Sequence, residues 1–160
     1  MNSISAVIIT QNEERNIERC LKSLQGVADE VVVVDSGSND ATESICKKFG
    51  ARFLHHDWAG YSEQKNYANT LASGEWILSI DADEALSDQL RESLLALKNG
   101  TMDEDAAYGF NRLSNYCGSW IRHCGWYPDT KIRLWKKDAC SWDGVVHEEL
   151  RFAKPTKSVH

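Results

Sequence analysis

Glu30-Val-Val-Val-Val-Asp35-Ser-Gly-Ser-Asn-Asp40 decides the fold of this chain. An apolar run this short, β-branched throughout and closed by small polar residues, reads as a strand buried on both faces, as in a parallel sheet. Asp40 with Glu43 three residues on resembles a capping box, and Ile45 and Phe49 carry an apolar stripe to Gly50, so a helix follows the strand.

Outward from this unit the pattern repeats. Ser5-Ala-Val-Ile-Ile-Thr10 is a strand, and Ile17, Leu21 and Leu24 fall at helical spacing between Glu13 and Leu24. On the other side, Ala51 to His55 makes a third strand, and a loop through Trp58 to Tyr61 leads to a helix from about Ser62 to Leu71 that ends at Gly74. Trp76 to Ile80 is the fourth strand. Beyond Asp83 comes a helix from Ser87 to Lys98 with Leu90, Leu94 and Leu97 inward. Tyr108 to Leu113 and Lys131 to Trp135 then follow without an intervening helix, which predicts a mixed edge. Strands alternating with helices predict an α/β fold, a mostly parallel sheet with helices on both faces.

With 160 residues, 42% of them hydrophobic, the chain suits one core. The reading is one domain over 1–153, its nucleotide-binding half 1–100 and its acceptor-side half 101–153. Lys154 to His160 has neither a helix nor a strand signal and reads as a polar tail, frayed or truncated from a longer protein. Cys20, Cys46, Cys117, Cys124 and Cys140 form no C-x-x-C, which excludes a disulfide framework or common zinc knuckle. Ala6-Val-Ile-Ile9 is too short for a signal or spanning segment, so the expected location is cytoplasmic.

The net charge of -6 is uneven: residues 1–105 hold 9 Lys and Arg against 19 Asp and Glu, whereas residues 106–160 hold 9 against 5. The acidic part disfavours nucleic acid. The basic part suits an anionic acceptor, or peripheral contact with the cytoplasmic face of the inner membrane.

In an open parallel sheet ligands bind beyond the carboxyl ends of the strands, and the polar residues collect there. Strand one ends in Thr10-Gln-Asn-Glu-Glu14, strand two in Asp35-Ser-Gly-Ser38, strand four in Asp81-Ala-Asp-Glu84. A carboxylate directly after four valines needs a partner. Asp35 either accepts from a ligand or, with Asp40, caps the next helix. Ser36 and Gly37 let a ligand approach the backbone. Asp81 and Asp83, one residue apart, repel unless a cation is shared. Mg²⁺ or Mn²⁺ takes one or two carboxylates plus substrate phosphates, so the pair points to a diphosphate.

These stretches, Val7 to Glu14, Val33 to Asp40 and Ser79 to Glu84, together resemble the family 2 glycosyltransferases of the GT-A fold. Gly125 to Trp135 and Trp142 to Glu149 are similar to the bacterial lipopolysaccharide-core branch that includes heptose β-1,4-glucosyltransferases. The resemblance implies a UDP-sugar donor, with Thr10, Asn12, Glu13, Asp35, Ser36, Gly37, Lys65, Asp81 and Ala82 along the nucleotide. It implies Asp83 and His147 as metal or phosphate contacts, and a glycan or lipid-linked acceptor. Many members carry Glu-Asp where this chain has His147-Glu148-Glu149. An inverting displacement needs one base; Glu148 is the first candidate, with Glu149 and Asp129 in reserve.

The aromatic segment from Tyr116 to Trp142 holds four of six tryptophans, to be divided between core and acceptor platform. A sugar-phosphate nucleotidyltransferase would need a Gly-rich basic first loop, and Thr10 to Glu14 is acidic and lacks glycine. A donor-binding module with little activity is the remaining alternative, should the acceptor region be truncated.

Overall fold

A computed structural model describes residues 2–145 and 148–159. In chain order the elements are β1 (Ile4–Thr10), α1 (Ile17–Leu24), β2 (Glu30–Asp35), α2 (Thr42–Lys48), β3 (Arg52–His55), α3 (Tyr61–Leu71), β4 (Trp76–Ser79), α4 (Asp88–Asn99), β5 (Ala106–Arg112), β6 (Ser114–Tyr116), β7 (Ser119–Ile121), β8 (Asp129–Lys136), β9 (Cys140–Asp143), β10 (Glu149–Phe152) and β11 (Lys157–Val159). The main sheet has the order β11-β5-β8-β4-β1-β2-β3, and β6-β7 and β9-β10 form separate hairpins.

Strands β1 to β4 pair in parallel, as the unpatterned valine run requires. Their alternate residues supply two cores. Ile4, Ala6 and Ile8 of β1, Val33 of β2 and Trp76 and Leu78 of β4 face α1, α2 and α4. Val7, Val32, Val34 and Ile77 face α3 and the β9-β10 hairpin. Helices therefore cover both faces. Each fully buried aliphatic side chain contributes about 1.5–3 kcal/mol of apolar burial. The order β2-β1-β4 places the switch point between β1 and β4, and open sheets bind ligands beyond the strand ends at such a point.

Several expectations are revised. The helix after β1 begins at Ile17 rather than Glu13, because the amides of Glu13 and Glu14 donate to Thr42 Oγ1 (2.9 Å) and Asp40 Oδ2 (3.1 Å) across the next loop. The capping box does not form. Asp40 Oδ1 accepts from the Thr42 amide (3.0 Å), while Glu43 pairs along the helix with Lys47. Helix α3 ends at Leu71, and Gly74 serves a different purpose: a Cβ there would lie 2.8 Å from Ser5 Oγ and 2.9 Å from its amide. Strand β8 lies inside the sheet, antiparallel to both β4 and β5. The polar tail contains β11, paired in parallel with β5 over Lys157 to Val159. A sheet edge supplies backbone partners to a segment with no local strand signal.

Candidate active site

Asp35 is 3% exposed, and both of its carboxylate oxygens are engaged inside the protein. Oδ1 accepts from Thr10 Oγ1 (3.0 Å) and Ser38 Oγ, and Oδ2 accepts from the amides of Gly37 (2.9 Å) and Ser38 (2.7 Å). The buried charge after the valines thus organises its own loop, with Gly37 at φ 92° completing the turn. Asn12, at φ 56°, donates its amide to Ser38 Oγ (2.7 Å) and accepts from the Asn39 amide (2.9 Å), which fastens the β1 loop to the β2 loop. Glu13 holds Asn16 Nδ2 at 2.9 Å. Ser36 Oγ accepts from Gln64 Nε2 (2.8 Å), so α3 is tied to the same rim.

The charged centre forms where β4, α3 and β8 meet. Asp81 Oδ2 accepts from Arg133 (2.9 Å), whose same nitrogen reaches Glu84 Oε1 (2.7 Å). On the other oxygen, Lys65 Nζ lies 3.5 Å from Asp81 and 3.3 Å from Glu148. Burial pushes the Asp81 carboxyl up, but Arg133 and then Lys65 outweigh it and hold the group below the usual carboxylate range. Burial dominates at Glu84 and raises it despite Arg133. Ala82 is buried between them in sequence. Arg112 extends the chain of charges, 3.8 Å from Glu84 and 2.7 Å from Asp129, which Lys131 also holds.

One turn of α3 carries much of this construction. Gln64 is fully buried and bonded to His56 and Ser36. Lys65 lies over the Trp142 ring, 4.6 Å from its centroid. Asn66 clamps the Trp142 backbone, accepting its amide (2.8 Å) and donating to its carbonyl (2.9 Å), and Ser62 Oγ donates to the Gly144 carbonyl (2.6 Å). Helix α3 thereby fixes the strand that leads toward Glu148.

The sequence-predicted residues Lys65, Asp81 and Glu148 are brought together. Asp129 joins only through Arg112 and Glu84. Two cations counter its burial and keep its carboxyl below the usual range, which disfavours it as a base at neutral pH. Glu149 begins β10 and is exposed. His147 lies outside the described residues. Sequence reading missed Arg133, Arg112, Gln64, Asn66 and Trp142. Arg133 carried a signal, a cation set between the apolar residues Ile132 and Leu134 of a strand-like run.

Asp83 is exposed, and its carboxylate has no hydrogen bond or ion pair among the described residues; its carbonyl accepts from Arg19. Among those residues no three His, Cys, Asp or Glu side chains gather to hold a metal. One free carboxylate, two residues from Asp81 in sequence, fits a hard cation that takes its remaining oxygens from a phosphate ligand and water.

The family model described as glycosyl transferase family 2 matches residues 5–145. An uncharacterized glycosyltransferase of Rickettsia typhi is 35% identical over 159 residues, covering 96% of this chain and 54% of that protein. The lipopolysaccharide core biosynthesis glycosyltransferase LpsC of Rhizobium meliloti is 42% identical over 96 residues, 57% of this chain and 35% of LpsC. The crystal structure of Mycobacterium tuberculosis glucosyl-3-phosphoglycerate synthase superposes with a TM-score of 0.53 at 29% identity, covering 67% of this chain and 45% of that one. The chain spans about half the length of the Rickettsia typhi relative.

Proposed function

The chain belongs to glycosyl transferase family 2, and from that premise we propose that it moves a sugar, a hexose, from a UDP donor to a glycan or lipid-linked acceptor with inversion. The observation that carries this reading is the convergence of Lys65, Asp81, Arg133 and Glu148 where β4, α3 and β8 meet. Of these, the two cations suit a diphosphate leaving group, and Glu148, one of the two carboxylates, suits an acceptor hydroxyl. The name of LpsC supports a lipopolysaccharide-core acceptor.

In this reading Thr10 to Glu13, Asp35 to Gly37 and Ala82 wall the nucleotide pocket, with Asp35 acting through the loop it holds. Lys65 and Arg133 face the diphosphate, and Asp81 orients both. Asp83, with His147 as a further candidate, would hold Mg²⁺ or Mn²⁺, which supplies charge neutralisation on the departing diphosphate when bound. Glu148 takes the proton of the acceptor hydroxyl as that oxygen attacks the anomeric carbon and the bond to the diphosphate breaks. Lys65, 3.3 Å from Glu148, holds that carboxylate within reach.

The test is Glu148→Gln, read by transfer kinetics beside UDP calorimetry. The expected result is a fall in turnover of about 10²–10⁴-fold with UDP affinity retained. Unchanged turnover would remove Glu148 from the mechanism.

A further inference from the structure

Between β5 and β8 the chain runs through residues 113–128 without one carboxylate, although Asp and Glu make up 24 of its 160 residues. The same stretch exposes Tyr116 (64%), Trp120 (55%), Trp126 (49%) and Tyr127 (38%). Arg122 and His123 are exposed among them. The β6-β7 hairpin pairs Asn115 with Trp120 and Tyr116 with Ser119, and Tyr116 lies 6.3 Å from Trp126 between ring centroids. Nothing in core packing explains this loop. Its companions Trp135 and Trp142 are the buried half of the four tryptophans.

Topology fixes which way the loop points. Strand β8 is antiparallel to β4 and to β5, so β5 runs with β1 and β4. The loop after Arg112 therefore leaves the sheet at the edge where β4 delivers Asp81. Trp58 of the β3-α3 connection and Tyr61 at the start of α3, exposed at 49% and 48% and in edge-to-face contact at 4.7 Å, lie at that same edge.

We infer that the loop 113–128 is a docking element for an anionic lipid surface, which sets the catalytic edge against the membrane. Indole and phenol rings favour the bilayer interface, where the apolar body is sheltered and the polar tip stays wet. Cations near an anionic surface each add about 1 kcal/mol, and a loop without carboxylates meets no repulsion there. A glycan platform would need acceptors for sugar hydroxyls beside its rings, and carboxylates, the strongest of these, are missing from the loop. That the bound lipid surface also presents the acceptor rests on the proposed function. The docking itself does not.

The experiment is co-sedimentation of the full chain with phosphatidylcholine vesicles, with and without phosphatidylglycerol. The expected result is binding that requires phosphatidylglycerol and weakens with salt. Trp120→Ser/Trp126→Ser should reduce it by about tenfold or more, and Arg122→Glu should reduce it also. UDP affinity and thermal unfolding should stay at the parent values, because these side chains are exposed. The inference is overturned if the parent chain ignores anionic vesicles, or if the tryptophan variant binds them as the parent does. It is equally overturned if that variant keeps vesicle binding and loses transfer to a soluble glycan. Failure of the Glu148→Gln test would leave vesicle binding unaffected, so the two readings fail separately.

Discussion

Arg133→Met removes the guanidinium that joins Asp81 to Glu84, leaving two carboxylates facing each other beyond β4. Deleting one partner of a fully buried ion pair costs about 3–5 kcal/mol, whereas an exposed pair is worth about 0–1 kcal/mol. The side chains of Arg133, Glu84 and Asp81 are 12%, 20% and 34% exposed, which sets the expected loss between these limits, at about 2–3 kcal/mol near neutral pH. The loss should depend on pH in a definite direction. In the parent, Asp81 is held below its ordinary value, so its contribution is present above about pH 4 and is lost as pH falls through the folded value. In the variant, burial and mutual repulsion raise both carboxyls relative to the parent, with Lys65 still opposing the rise at Asp81. Destabilisation then grows as pH rises from about 4 toward those raised values. The deficit should therefore be largest at neutral pH and shrink toward about pH 4.5, with Glu84→Gln in the variant restoring part of it. Urea unfolding at the two pH values, at constant m, measures this. Equal losses at both, or a neutral loss under about 1 kcal/mol, would refute the electrostatic account.

Asp83→Ala should change stability by no more than about 0.5 kcal/mol, since the residue is exposed, yet abolish metal-dependent UDP binding in calorimetry; parent affinity would exclude the metal role. Asn66→Ala orphans the amide and carbonyl of Trp142 and should cost about 1–3 kcal/mol in urea unfolding. Transfer should fall while UDP binding largely persists, because the Asn66 clamp fixes the strand leading to Glu148. Iodoacetamide should modify Cys117 and Cys124 in the folded protein, while burial, which pushes the thiols up to about 12, protects Cys20 and Cys46. Peptide mass analysis decides this, and rapid labelling of Cys20 would contradict the core.

The sequence by itself determined the parallel half of this protein. A run such as Glu30 to Asp35 has one stable use, a strand buried on both faces, and repeating it with helical stripes between sets β1 to β4 and the rim on which Asp81 and Lys65 fall. Local pattern suffices there because burial period and chain order carry the information. It could not foresee how Asp35 is satisfied, since its donors Thr10 and Ser38 come from the end of a neighbouring strand and from the loop that follows Asp35. Nor could it foresee β11, whose pairing is drawn from the edge of β5. Arg133 shows the limit most clearly. The register of β5 and β8 shifts between Tyr108 and Gly109, passing from Leu134 to Ile132 and leaving Arg133 as the extra residue. A bulge of this kind re-aims a side chain that strand alternation would misplace. Only the tertiary structure, by inserting β8 against β4, could direct that cation to Asp81 and Glu84.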